Sequence, residues 1–159
     1  MSDHPVIRST HGQERQGGVE GRDNSEAAGA NRLLTTLLGH QLLQFRMGHD
    51  VRLEVGPHHE VVLEAPIEVR DRTSRWFGEP LSAGAAGALL PLIDQEVSSA
   101  HIATNGSLVL GVGSATLTVH SAPTYEAWQV HGPEGMLIGC SPGGDYVAFW
   151  EPESRTKCP

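Results

Sequence analysis

Residues 105–120 read NGSLVLGVGSATLTVH, and the fold class follows from this stretch. Leu108, Leu110 and Val112 alternate up to Gly113, and Ala115, Leu117 and Val119 alternate beyond it with Thr116, Thr118 and His120 opposite. Apolar residues at a period of two on both sides of a turn glycine predict a hairpin with one buried face. Asn105-Gly106 just ahead is the strongest short hairpin signal, and it pairs residues 97–103 with the same strand.

The alternation continues in both directions. Downstream, residues 125–130, 136–140 and 146–150 predict three more strands, joined by GPEG at 132–135 and SPGG at 141–144. Upstream, residues 43–47 and 51–55 predict a hairpin with Leu43, Phe45 and Met47 on the core face. Residues 60–70 predict one strand with Val61, Leu63, Ala65, Ile67 and Val69 inward and an edge or bulge at Pro66. Small apolar residues at 84–90, capped by Ser82 and stopped by Pro91, predict a short helix. Residues 25–38 predict an amphipathic helix with Ser25 as its N-cap and Leu33, Leu34, Leu37 and Leu38 as its stripe. Residues 1–24 and 152–159 are polar and lack periodicity, which predicts a disordered arm and a flexible tail. The expected architecture is a single mainly β (α+β) domain over 39–151, with antiparallel meanders of about eight strands, one internal helix and one N-terminal helix.

Two segments look alike. Leu43-x-Phe45-x-Met47-Gly48 followed by Val51-x-Leu53-x-Val55 matches Leu108-x-Leu110-x-Val112-Gly113 followed by Ala115-x-Leu117-x-Val119. The match is that of a duplicated hairpin, although alternation around a turn glycine also arises by chance.

Charge excludes partners more sharply than it suggests them. Eleven basic residues against nineteen acidic ones give −8, and between Trp76 and Trp150 there are six acids and no Lys or Arg. A stretch without cations argues against DNA, RNA or an anionic membrane as partner and favours a basic protein. Arg70, Arg72 and Arg75 read as a solvated edge. No run reaches the about 18 apolar residues of a membrane span and the N-terminus has no signal-peptide pattern, so a cytoplasmic location is expected. Cys140 and Cys158 are too few for a disulfide framework. No cofactor motif appears, since strands rather than helices follow Gly111-Val112-Gly113 and Gly143-Gly144.

Three constellations carry candidate chemistry. His58-His59-Glu60 places three potential metal ligands in a row, but adjacent strand residues point to opposite faces. Cys140 beside Ser141-Pro142-Gly143-Gly144, with His131 or His120 as base, is the pattern of a thiol nucleophile, set against Cys140 as a small core residue. Tyr125, Glu126 and Trp128 in YEAW, with Trp150 in YVAFW, read as a binding surface of aromatics among acids, with Tyr125 and Trp128 on opposite sides of an alternating strand, set against the commoner case in which both are core residues. Exposed strand edges allow a homodimer.

The stretch YEAWQVHGPEGMLIGCSPGGDYVAFW (residues 125–150), preceded by the hairpin from Gly106 to Gly113, resembles an uncharacterised family of small bacterial domains from high-GC, actinomycete-type genomes. Its members share the Tyr-Glu-Ala-Trp strand and a closing Pro-Gly-Gly. The resemblance covers about residues 39–150 and marks Tyr125, Trp128, Pro142, Gly143, Gly144 and Trp150 as matching the pattern; it implies no activity. In size and acidity the chain is similar to immunity proteins that neutralise secreted toxins. The expected function is a non-enzymatic binding domain, immunity-like, and the alternative is a small-molecule hydrolase or isomerase using Cys140 or a His/Glu pair.

Overall fold

A computed structural model describes residues 20–145 and 147–152. Helix α1 (Glu20–Leu34) passes through a 3-10 turn (Thr35–Leu37) into the meander β1 (Leu42–Met47), β2 (Val51–Val55) and β3 (His59–Leu63). The hairpin β4 (Ile67–Arg70) and β5 (Arg75–Gly78) follows. Helix α2 (Ala83–Leu89) and its 3-10 turn (Leu90–Leu92) lead into a second meander, β6 (Val97–Ile102), β7 (Leu108–Val112) and β8 (Ala115–Val119). Strands β9 (Trp128–His131), β10 (Leu137–Cys140) and β11 (Val147–Trp150) come last. One antiparallel sheet has the order β1-β2-β3-β9-β10-β11 and the other β5-β4-β8-β7-β6. Their inner faces share a single apolar core, which α1 joins through Ala30, Leu34 and, in the 3-10 turn, Leu37.

The mainly β class is as expected, but eleven strands replace about eight. The predicted strand over 60–70 is two strands in different sheets: the Glu64 and Ala65 N–H groups both donate to the Ala127 carbonyl (3.0 and 3.1 Å) where the chain crosses. Pro66, with no N–H to give a ladder, sits in the crossing. Strand β5 has no alternating run to announce it, since it is four residues long with two of them exposed. A bulge between Leu42 and Gln44 leaves Leu43 unpaired and 44% exposed while Leu42 is buried; Phe45 and Met47, opposite Leu53 and Val51, keep the predicted face, with Met47 39% exposed at the end of this edge strand. Helix α1 begins at Glu20, five residues inside the stretch predicted to be disordered, and Ser25 lies within it rather than capping it. Residues 1–19 and 153–159 lie outside the described residues. The Ser82 cap of α2 is as predicted, its hydroxyl accepting from the Ala85 N–H (3.1 Å).

The two halves repeat, with a register different from the predicted one. Each half is a helix, a 3-10 turn and a three-stranded meander, followed by strands that cross to the other half's sheet. The junctions before β1 and β6 mirror each other bond for bond. Leu42 N–H donates to Gln95 O (2.9 Å) and Val97 N–H to His40 O (2.8 Å); Gly39 N–H donates to Val97 O (2.9 Å) and Asp94 N–H to Leu42 O (2.8 Å). Gln41 and Glu96 face one another as an isolated bridge on the pseudo-two-fold axis. Gly39 and Asp94 both have positive φ (82° and 65°), because the chain must reverse from the 3-10 turn into the strand there, and Asp is among the few non-glycines that tolerate that region. Both meanders bulge at their first strand. Gly56 (φ 56°) and Gly113 (φ 57°) are equivalent, donating to Gln41 O and Glu96 O. The repeat therefore matches β1 with β6 and β2 with β7, whereas the sequence alignment matched Gly48 with Gly113, one strand away.

Candidate binding surface

One end of the molecule is built from turns. The Asn105-Gly106 turn, the segment 120–127 and the Pro142–Gly144 turn meet there: Gly143 N–H donates to Ala122 O (2.6 Å), and Trp128 donates its indole N–H to Gly106 O (2.9 Å). A side chain on Gly106 would run into the Gly144 backbone, and one on Gly144 into the Asn105 carbonyl. The residues marked by the family resemblance at Trp128, Gly143 and Gly144 are thus tied together by packing. They fix the shape of this end rather than supply chemistry.

On that frame Tyr125 is 42% exposed, and Glu126 and Asp145 are exposed on adjoining segments. Trp128 is fully buried, which corrects its reading as a surface anchor: of the pair in YEAW, Tyr125 faces solvent and Trp128 the core. Trp150 is 56% exposed but stands apart, opposite Leu137 and at the far end of β11 from Val147, about 10 Å along the strand. Tyr146 lies outside the described residues. Beside the turns is a cleft of about 430 Å³ lined by Glu26, Asn31, Thr104, Gly106, Gly144 and Asp145. No sequence signal could have found it, because α1 reaches it only through tertiary contact: the Asn31 side-chain oxygen accepts from Ile102 N–H (2.8 Å), 71 positions away.

Glu126 also opens a polar line across the outer face of the six-stranded sheet. The Gln129 amide donates to Glu126 Oε2 (2.7 Å), so its own oxygen accepts from His131 Nε2 (2.9 Å). His131 pairs with Glu60 on β3, and Glu60 accepts from both Arg46 (2.6 Å) and Arg52 (2.7 Å). Val62, between Arg52 and Gln129 on that face, is only 3% exposed beneath them.

The proposed thiol site does not assemble. Ile138 pairs with Val130 on the inner face, so Cys140, two residues on, points inward, while His131 is in register with Leu137 on the outer face. Cys140 has no exposed surface and its Sγ donates to Ser141 O (3.4 Å). Burial pushes its thiol above the usual range and the Glu126 carboxylate adds to that, the reverse of what a nucleophile needs.

The metal candidates diverge likewise. His58 is exposed in the β2–β3 turn, His59 is buried on the inner face, and Glu60 is held by arginines outside. Among the described residues no group of three or more His, Cys, Asp or Glu is placed to hold a metal ion. Of the arginine edge, Arg75 (2.9 Å) and Arg70 (3.7 Å) both pair with Glu68, which holds the Glu68 carboxyl below its ordinary value.

His59 is a core histidine. The Thr36 hydroxyl donates to Leu33 O (2.7 Å) and therefore accepts from His59 Nε2 (3.0 Å), leaving Nδ1 without a partner. Burial lowers the His59 pKa from 6.5, with His40 and His58 adding repulsion. The folded state thus binds fewer protons at His59 than the unfolded chain does. Stability is full above pH about 6.5 and falls as pH drops below it, with a slope up to about 1.4 kcal/mol per unit. Urea midpoints should be lower at pH 5.5 than at 7.5, and His59→Gln should flatten that difference. An unchanged slope would place the titrating group elsewhere.

A family model described as a family of unknown function (DUF6188) matches residues 33–151, from the end of α1 to just past β11. No curated protein and no solved structure matches the chain. No described helix is long and apolar enough to cross a membrane.

Proposed function

The chain belongs to that family of unknown function, and from this premise we propose that it is a non-enzymatic cytoplasmic interaction domain, immunity-like in role, whose acidic turn-built end receives a basic protein. The observation that carries the proposal is the placement of Tyr125, Glu126 and Asp145, all exposed, on a frame held rigid by Trp128, Gly106 and Gly144. An exposed aromatic among carboxylates on an ordered scaffold is the composition of an anchor with electrostatic steering around it. The separation of Cys140 from His131 and the burial of the thiol support binding over thiol catalysis.

Affinity purification from the native cell, run in parallel with wild type and a Tyr125→Ala/Glu126→Lys/Asp145→Lys variant, tests this. Wild type should retain a basic protein whose association slows with added salt. The variant should melt like wild type and bind at least about thirtyfold more weakly, an anchor loss of about 2 kcal/mol. Retention of the same partner by the folded variant, or a partner without basic character, would sink the proposal.

A further inference from the structure

The pseudo-two-fold relation gives each half a space between its 3-10 turn, its glycine turn and the hairpin on the other side. In the first half that space is full. The His59 ring lies 5.7 Å from the His40 ring and bonds to Thr36, and Thr36 also reaches Met136 Sδ (3.8 Å).

In the second half the same positions carry other residues. Ala115 opens β8 opposite Val112 as His59 opens β3 opposite Val55. Pro91 is the middle residue of its 3-10 turn, as Thr36 is of its own. Ser74 precedes β5 and accepts from Asp71 N–H (3.0 Å), as Met136 precedes β10 and accepts from Gly132 N–H (2.9 Å). Gln95 lies against Gly113 as His40 lies against Gly56. With alanine in place of an imidazole and serine in place of a thioether chain, a cleft of about 190 Å³ remains, lined by Ser74, Trp76, Pro91, Gln95 and Ala115, with Asp71 also on its wall.

We propose that this cleft is a binding site for a small planar nitrogen heteroaromatic ring of imidazole size, brought either by a small molecule or by a histidine of a partner. The first half shows the occupant: the ring that fits between a 3-10 turn and a glycine turn in this fold is His59's own. The Trp76 indole packs so closely on Gly78 and Gly84 that a side chain at either would collide with it, so this wall is fixed in place. The Gln95 amide offers the donor and acceptor that ring nitrogens require, and the Asp71 carboxylate, which itself accepts from the Thr73 and Ser74 N–H groups (2.7 Å each), adds negative charge to the wall. The site is separate from the acidic end, so its test is independent of the proposed interaction.

Titration of the isotope-labelled full chain with 4-methylimidazole, followed by NMR, should give saturable shifts confined to amides around Gln95, Ser114 and Ala115. Cyclopentanol, of similar size but neither planar nor nitrogenous, should bind at least about tenfold more weakly. Ala115→His places in the cleft the residue its counterpart carries and should abolish the shifts. Ser74→Met does the same from the other wall, should Ala115→His fail to fold. N-acetyl-histidine amide distinguishes the sources: binding like that of the free ring assigns a partner's side chain, and binding of the free ring alone assigns a small molecule. Absence of saturable shifts up to about 10 mM methylimidazole, equal binding of cyclopentanol, or shifts that survive in a folded filled-cleft variant would each overturn the proposal.

Discussion

Replacing Trp128 by alanine should destabilise the domain by about 4 kcal/mol, a large share of the 5–15 kcal/mol typical of a folded domain. The indole is fully buried at the start of β9, between β3 and β10, and its N–H satisfies the Gly106 carbonyl at 2.9 Å. Alanine leaves a cavity in a core shared by both sheets and leaves that carbonyl without its donor. Trp128→Phe keeps most of the apolar volume and loses only the hydrogen bond and the second ring, so about half the effect should remain. Urea denaturation followed by circular dichroism reads both variants. A loss below about 1.5 kcal/mol for alanine would mean that the ring is not the keystone its burial implies.

Gly144→Ala should cost about 3 kcal/mol through strain instead of a cavity. Its φ is 75°, where an L side chain costs about 1–2 kcal/mol, and the added Cβ would meet the Asn105 carbonyl and lie 2.7 Å from Ser121 Cβ. Both neighbours belong to other segments of the same end, so neither moves without disturbing the Asn105-Gly106 turn or the segment below Tyr125. A midpoint shift in urea of the same order for Gly106→Ala (φ 82°, blocked by the Gly144 backbone) would confirm that the two turns press on one another. Wild-type stability in either variant would show that the turns can part.

Much of the fold was legible because it is written locally. The period-two runs at 51–55, 108–112 and 115–119 became β2, β7 and β8, with the predicted residues inward. Ser82 and Pro91 bounded a helix as short as expected. The failures have a common physical origin in places where the chain leaves the local pattern. Residues 60–70 keep one alternation through a change of sheet, since Leu63, Ala65 and Ile67 are all buried on either side of the crossing. The bulge in β1 turns Leu43 outward although its spacing to Phe45 and Met47 is that of a core face. The repeat was visible as similarity but aligned one strand off, because hairpins with alternating apolar residues around a glycine recur in both halves. Only the paired hydrogen bonds at Leu42 and Val97 fix the equivalence.

For the candidate residues Tyr125 and Trp128 the sequence left core and surface open; what it determined by itself was the acidic balance and the mainly β class. Those follow from composition and from a side-chain direction that reverses at each residue of a strand. Tertiary structure alone decided which of the two is buried, that Cys140 and His131 stand on opposite faces of one sheet, and that Glu126 and Asp145 share an end with α1. It alone decided that His59 fills a space which its counterpart Ala115 leaves open. The reason is that facing and burial depend on which strand lies alongside, and that pairing is set by contacts between residues far apart in the chain, which no local period encodes.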